Sequence, residues 1–356
     1  MSPRRLRTRE LIFSAVAVVL LAVYGALGAR FLPALLATGA LAPTPSKPVE
    51  PVAVSLALPG RLAFVLRGDV YVLAGGAYRP ATADGRSIQP ALSGDGGSLV
   101  FARVETLSGK RIVDAQLVPA ELGFTRIVRK PTAGGAEELL VEGLHARAQN
   151  GIHPVSWYLS PALSPDGKQL ALTEDDGNGA SDLEVIDLST PGRRPVTIFS
   201  DGQQLADPAW SPDGRTIAVT TYNTDTAGII LWPADRKTEP QRLRKLPEGD
   251  AYRPSFSPDG RWLVYTLRRP EGNDVHAFEL ATGRDIALTT DGRSWNGVLS
   301  PDGKWLAYLR ADRSTIDLWA MELGGALAPS GGAPKEPKKL TRGEGVDGDS
   351  RPAWAN

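Results

Sequence analysis

The chain has 356 residues, in which 40 lysines and arginines balance 40 aspartates and glutamates, so the formal net charge at pH 7 is zero. This balance leaves no overall basic field, and we expect no nucleic-acid partner. Cysteine is absent, which excludes disulfides, thiolate metal sites, cysteine nucleophiles and a lipid anchor on cysteine.

The N-terminal segment combines a basic cluster with a long apolar run. Four arginines lie between residues 4 and 9, and no charged residue occurs from Leu11 to Ala29. As a helix these 19 residues would span about 28 Å, close to the ~30 Å hydrocarbon core of a bilayer. A cleaved signal peptide, cut after the small residues near Ala26-Leu27-Gly28, is the alternative.

The favoured interpretation is an uncleaved single-pass anchor with its N-terminus in the cytoplasm, because positive charge stays on that side. It divides the chain into a basic tail (1–10), a transmembrane helix (11–30), an extended linker (31–58) and an extracytoplasmic domain (59–356). Pro43, Pro45, Pro48 and Pro51 give the linker its semi-rigid character.

A four-residue turn then recurs along the chain at intervals of 47, 46 and 43 residues. Ser, Pro, Asp and Gly suit the four positions of a type I turn, and short strand-like runs flank each copy. A period of this length, without helical patterning between the copies, is typical of a radial β-repeat. The copies are Ser164–Gly167, Ser211–Gly214, Ser257–Gly260 and Ser300–Gly303.

Each unit predicts four antiparallel strands, A to D, with the turn joining A to B. A degraded copy, Ser93–Gly96, adds a fifth unit. The sixth is split: Arg351–Asn356 matches an A strand, and Arg61–Leu66 and Asp69–Leu73 supply its B and C strands. The sequence therefore predicts an all-β, six-bladed propeller that is closed by one blade built from both ends of the domain, which removes exposed sheet edges.

The Pro-bearing A strand, the Ser-Pro-Asp-Gly turn followed by Lys or Arg, and the Asp-led C strand resemble the TolB-type six-bladed propeller repeat. The resemblance covers roughly residues 59–356 and implies the fold. It implies no particular function, because propellers serve many.

Strand direction predicts two different faces. The turn face carries the A→B and C→D turns, and the loop face carries the B→C and D→A connections. Two departures from the repeat fall on the loop face: the B→C segment Glu105–Gly123, and the D→A segment Leu144–Val155 with His145 and His153. Two insertions beside one blade favour a partner-binding surface there, with harmless elaboration as the alternative.

Aligned A strands predict a polar ring at the loop-face mouth of the central channel. Tyr252 and Trp295, just upstream, are expected on its rim. A water-filled channel without a ligand would also be polar, so this alternative stays open. The ring residues, four positions before each turn serine or its equivalent, are Gln89, Ser160, Asp207, Arg253, Asn296 and Arg351.

Motifs for catalysis are missing from the sequence. It has no Gly-x-Ser-x-Gly elbow, phosphate loop, His-Glu-x-x-His or dinucleotide fingerprint, and we predict no cofactor and no metal. The favoured function is a membrane-anchored scaffold or accessory subunit that binds a protein partner. The alternatives are a metal-dependent hydrolase or lactonase at the channel mouth, and a sensor that binds a small anion through Arg253 and Arg351.

Overall fold

A computed structural model describes residues 52–356, apart from 114–115, 146–153, 178, 191, 193, 201, 224–225, 236–237 and 329–330. The predicted tail, anchor and most of the linker lie outside the described residues, as does His153. Within the described part of the chain there is no helix of the length and apolarity needed to span a bilayer.

All regular structure in these residues is β. In chain order the strands are β1 (Val52–Ala53), β2 (Arg61–Leu66), β3 (Asp69–Ala74), β4 (Ala77–Pro80), β5 (Ser87–Leu92), β6 (Ser98–Val113), β7 (Gln116–Pro131), β8 (Glu138–Glu142), β9 (Trp157–Leu163), β10 (Gln169–Asp175), β11 (Asp182–Asp187), β12 (Val196–Phe199), β13 (Gln204–Trp210), β14 (Thr216–Tyr222), β15 (Ala227–Pro233), β16 (Gln241–Arg242), β17 (Asp250–Phe256), β18 (Trp262–Arg269), β19 (Gly272–Glu279), β20 (Asp285–Ala287), β21 (Ser294–Leu299), β22 (Trp305–Asp312), β23 (Thr315–Glu322), β24 (Lys338–Lys339) and β25 (Ala353–Ala355).

These strands form six antiparallel sheets, which confirms the predicted six-bladed propeller. Blade 1 has the order β25-β2-β3-β4-β1, and blades 2 to 6 follow as β5–β8, β9–β12, β13–β16, β17–β20 and β21–β24. The split closure is confirmed as well, since Trp354 pairs with Leu62 in blade 1. A fifth strand that the sequence did not predict, β1, pairs Val52 with Tyr78 at the outer edge of this blade.

Apolar side chains fill the space between adjacent blades. Six buried clusters each join two neighbouring sheets, and the cluster that closes the circle packs Phe64 of blade 1 with Leu309 and Leu318 of blade 6. Each fully buried side chain of this size contributes ~1.5–3 kcal/mol. The ring is therefore held by six similar interfaces rather than by one central core.

The closure is sterically tight. Gly60 lies just before β2 with φ of 67°, and a Cβ built on it would sit 2.0 Å from the carbonyl oxygen of Ala355. Only glycine combines this left-handed conformation with such a close backbone approach. Trp354 Nε1 also donates a 2.7 Å hydrogen bond to the carbonyl of Pro59, which fixes β25 against the chain that enters β2.

The turn face is regular because each Ser-Pro-Asp-Gly turn satisfies its own polar groups. In the copy at 211–214, Ser211 Oγ donates to Asp213 Oδ1 at 2.6 Å and accepts from the Thr216 amide at 2.9 Å. Asp213 Oδ1 also accepts the Arg215 amide at 3.0 Å. These bonds, led by the one from Ser211, hold the pKa of Asp213 below its usual range.

Candidate functional site

Five of the six predicted ring residues lie on β-bulges of the innermost strands, and Arg351 is the exception. In β13, Asp207 and Pro208 together oppose a single residue of β14, because Ala206 pairs with Thr220 and Ala209 pairs with Ala218. Proline cannot donate to the ladder, and a bulge accommodates it while redirecting its neighbour. Five of the ring residues adopt a left-handed backbone with φ between 51° and 58°: Gln89, Ser160, Asp207, Arg253 and Asn296.

Neighbouring blades stabilise this uncommon conformation. The amide of Asn296 donates to Thr266 Oγ1 at 3.0 Å, and the amide of Arg253 donates to Thr220 Oγ1 at 2.9 Å. On the other side of the ring, the amide of Ser160 donates to Gln89 Oε1 at 2.8 Å. In each case the preceding blade supplies the acceptor, so the bulges also join blade to blade around the channel.

Arg253 organises one side of the mouth. Its Nε lies 3.7 Å from Asp207 Oδ2, and its Nη1 donates to Asn296 Oδ1 at 2.9 Å and to the carbonyl of Gly348 at 3.1 Å. Asn296 is fully buried and Asp207 nearly so. Ser160 Oγ extends the network by donating to Asp207 Oδ1 at 3.3 Å. The structure therefore brings four of the predicted ring residues into one connected polar cluster.

Arg351 differs from the other ring positions. It has no left-handed backbone, and its guanidinium donates across the channel to the carbonyls of Pro254 and Pro208, the latter at 3.1 Å. Those carbonyls belong to blades 5 and 4, whereas Arg351 leads into blade 1. Its side chain thus bridges the channel between blades and does not join the polar cluster of Arg253, Asp207, Asn296 and Ser160.

Tyr252 and Trp295 line a cleft of about 460 Å³ on the loop face, beside Arg253. Tyr252 lies between two guanidiniums, with Arg253 Cζ 5.8 Å and Arg268 Cζ 5.9 Å from the ring centroid. Trp295 Nε1 donates to the carbonyl of Gly348 at 2.9 Å. Both rings are half-buried, and aromatic side chains with arginines are enriched at protein-binding surfaces.

A second tyrosine, Tyr222, completes this cleft. Burial raises the pKa of Tyr222 to about 12 and raises that of Tyr252 as well. Both phenols are therefore neutral at physiological pH and keep their O–H group as a hydrogen-bond donor. Tyr252 Oη already bonds to Asn273 Oδ1 at 3.1 Å. The sequence analysis missed Tyr222. It is the last residue of β14 and directly follows the buried Thr220 and Thr221, so its position at the loop-face end of a strand was the available signal.

The first insertion is a β-ribbon rather than the predicted loop. Strands β6 and β7 pair without interruption from Ser98–Pro131 to Val113–Gln116. Residues 104–113 and 116–125 have no other ladder partner among the described residues, so at ~3.4 Å per residue they form an arm about 30 Å long. Near its tip, Ile112 is 64% exposed and Leu117 is 44% exposed.

The base of the arm is braced. A Cβ at Gly123 would lie 2.6 Å from the Trp157 ring, so glycine allows β7 to pack directly on the next blade. Arg126 adds a 2.9 Å ion pair to Glu142 and reaches Glu105 at 3.4 Å. These contacts fix the direction of the arm where it leaves blade 2.

Only the two ends of the second insertion lie within the described residues. Leu144 and Val155 form an isolated bridge, and His145 Nε2 lies 2.9 Å from Ser156 Oγ. Among the described residues no group of three or more His, Asp or Glu side chains is positioned to hold a metal ion. The described part of the channel mouth therefore offers no set of metal ligands that would support the hydrolase alternative.

Comparisons with known proteins agree with this architecture. A family profile described as TolB beta propeller domain matches residues 146–328, just over half of the chain. The Tol-Pal system protein TolB of Ruthia magnifica subsp. Calyptogena magnifica is 29% identical over 118 residues, 32% of this chain and 27% of that protein. The Protein TolB homolog of Chlorobium chlorochromatii is 29% identical over 225 residues, covering 60% and 43% respectively.

The alignments thus span less than half the length of these two relatives. Among solved structures, TolB from Acinetobacter baumannii superposes with a TM-score of 0.60 at 19% identity, over 85% of this chain and 68% of that one. At this identity the superposition shows a shared fold only. From the matched profile, the repeat and the six sheets, the chain belongs to the TolB beta propeller domain family.

Proposed function

We propose that this protein is an extracytoplasmic, membrane-anchored propeller that binds a protein partner through its loop face. The observation that carries the proposal is the pairing, on one face, of a braced 30 Å arm with exposed apolar residues and a cleft that presents aromatic and arginine side chains. The relatives named as components of the Tol-Pal system support a role in an envelope protein complex.

The arm and the cleft offer complementary contacts. Ile112 and Leu117 expose apolar surface that a partner would bury. Among the described residues outside the arm, the large exposed apolar side chains are Leu139 and Val196, which lie on different blades. In the cleft, Arg268 is 58% exposed at its side chain and pairs with Asp250, so its remaining donors can reach an acidic or carbonyl group. We infer a partner with an apolar patch beside an acidic or backbone acceptor.

The test is quantitative co-purification from native membranes, with the recovered proteins identified by mass spectrometry. Replacing 105–123 with a two-residue turn should remove the partner while leaving thermal unfolding unchanged. Ile112→Asp is the finer variant, and Val196→Asp is its matched control, because Val196 is 51% exposed on the outer strand of blade 3. We expect Ile112→Asp to lower recovery at least tenfold and Val196→Asp to leave it unchanged. Recovery of the partner protein in equal amount after removal of the arm would contradict the proposal.

A further inference from the structure

The turn-face half of the central channel holds a cavity of about 380 Å³ that protein binding on the loop face does not use. All six innermost strands contribute to it, and this volume is within the range of small-molecule sites, ~300–1,000 Å³. Seven prolines, five alanines and three aromatic residues contribute to its wall, together with polar groups such as Ser255 and Asn356; the aromatic residues are Trp210, Phe256 and Trp354.

The two tryptophans on this wall have their polar atoms satisfied elsewhere. Trp210 Nε1 donates to the carbonyl of Ala162 at 3.0 Å, and Trp354 Nε1 donates to the carbonyl of Pro59 at 2.7 Å. The rings therefore offer apolar surface to whatever enters the cavity. An apolar group of a ligand would be buried against these rings, and its polar groups would face the polar part of the wall.

Arg351 lines the same cavity and has no acidic partner there. Its guanidinium donates to two backbone carbonyls, and no carboxylate of the described residues lies within 4.0 Å of it. Burial lowers the pKa of Arg351, against the attraction of the more distant Asp207. Arg253, in contrast, has carboxylate oxygens of Asp207 and Asp349 within that distance. A partly buried charge without a counterion is costly, and an anionic ligand would offset that cost.

We propose that this cavity binds a small monocarboxylate with an apolar body, of the arylalkyl class, whose carboxylate pairs with Arg351. Arginine presents a planar fork that matches a carboxylate, and carbonyl bonds occupy only two of its five donors. The aromatic wall would hold the body of the ligand. This site is independent of the proposed protein-binding face.

The aspartates at the cavity rim do not repel such a ligand strongly. In the four complete turns each aspartate accepts its serine hydroxyl at 2.5–2.7 Å and a backbone amide at 3.0–3.1 Å. A basic residue follows each turn, at Lys168, Arg215, Arg261 and Lys304. None of these four aspartates is among the residues that line the cavity, whereas Arg351 is.

The test uses the full chain in lipid nanodiscs, titrated calorimetrically with 4-phenylbutyrate and with its neutral amide, with empty nanodiscs as the blank. We expect the carboxylate to bind at least tenfold more tightly than the amide. Ala209→Leu, which fills the cavity, should abolish binding, and Val196→Asp should not change it. Arg351→Gln should remove the preference for the acid if the variant folds.

Equal affinity for acid and amide, no binding of either, or unchanged binding in Ala209→Leu would each overturn the proposal. The first comparison needs no variant, so it is decisive even if Arg351→Gln fails to fold. Recovery of a protein partner by Ala209→Leu is expected to be normal. Failure of this site and failure of the protein-binding proposal can therefore be told apart.

Discussion

The two faces of the ring are built from the same six sheets in opposite ways. On the turn face, Ser164, Ser211, Ser257 and Ser300 repeat the same set of hydrogen bonds. On the loop face, Asp69, Asp274 and Asp317 also repeat a bond to a threonine and a glycine, but the groups beyond this frame differ between blades. One blade carries a 30 Å arm, and others carry the tyrosines and arginines of the cleft. Repetition thus fixes the scaffold, while the variable connections are free to acquire recognition.

The first way to break this comparison is to open the scaffold itself. Deleting 351–356 removes β25 and the cross-channel bonds of Arg351, and exposes the β2 edge. We expect aggregation or loss of cooperative unfolding, measured by calorimetry and size-exclusion chromatography. A monomer that melts normally would contradict the role given to closure.

A point variant tests the closure of blade 1 without deleting a strand. Gly60→Ala places a methyl group 2.0 Å from the Ala355 carbonyl, whereas Gly75→Ala, also at positive φ, meets open space. Both variants place alanine in a left-handed backbone conformation, which destabilises each of them. The difference in their unfolding free energies therefore measures the crowding at closure, and we expect it to be ~1–3 kcal/mol.

The second prediction concerns the bulges that separate the channel mouth from the turns. Thr266→Val removes the acceptor of the buried Asn296 amide and should cost about 1–3 kcal/mol of unfolding free energy, measured by urea denaturation. Thr220→Val removes the equivalent acceptor from Arg253, which is less buried and can bond to water. A loss with Thr220→Val as large as that with Thr266→Val would argue against burial as the cause.

The third prediction contrasts acids in the blade interior with acids in the turns. Burial, reinforced by the neighbouring Glu174, raises the pKa of Glu184 to about 8. The pKa of an unfolded glutamate is ~4.3. Between this pH and about 8, the folded state therefore keeps a proton that the unfolded state has released. Stability should therefore fall as the pH rises from about 5 to 8.

Glu184→Gln should flatten this dependence and raise the urea midpoint at pH 8.5 relative to the parent. Glu279→Gln is the control, because hydrogen bonds led by that from Thr282 lower the pKa of Glu279, which is ionised in both states throughout this window. A parent protein whose stability does not change between pH 5.5 and 8.5 would refute the assignment.

The smallest effect is expected on the turn face. Asp213→Ala removes the acceptor of Ser211 Oγ and of the Arg215 amide, and should cost about 0.5–1.5 kcal/mol because solvent replaces both bonds. The lowered pKa of Asp213 gives stability that is present above about pH 4 and lost on acidification, so the difference between variant and parent should shrink at low pH. A constant difference down to pH 2 would contradict this account.

The sequence predicted the scaffold well and the recognition surface only in outline. Recurrent Ser-Pro-Asp-Gly turns and the match between Arg351–Asn356 and an A strand sufficed for six blades and their closure, because both are local patterns. The β-bulges could also have been predicted, because proline follows the ring residue at positions 90, 161, 208 and 254 and cannot donate to a ladder. The sequence analysis did not make this prediction. The arm is a local hairpin whose strand pairing the sequence analysis did not recognise. The bridging of the channel by Arg351 depends on contacts 97 and 143 positions away in sequence, which local patterns do not contain.

Closure of blade 1 also bears on how the molecule folds. Trp354 and Pro59 are separated by 295 positions, so their bond can form only after the five intervening sheets have brought them together. Contacts of such high sequence separation slow the search for the native state. Until they form, β2 has an unpaired edge on a nearly complete ring, and we expect the partly folded chain to aggregate most readily at that edge.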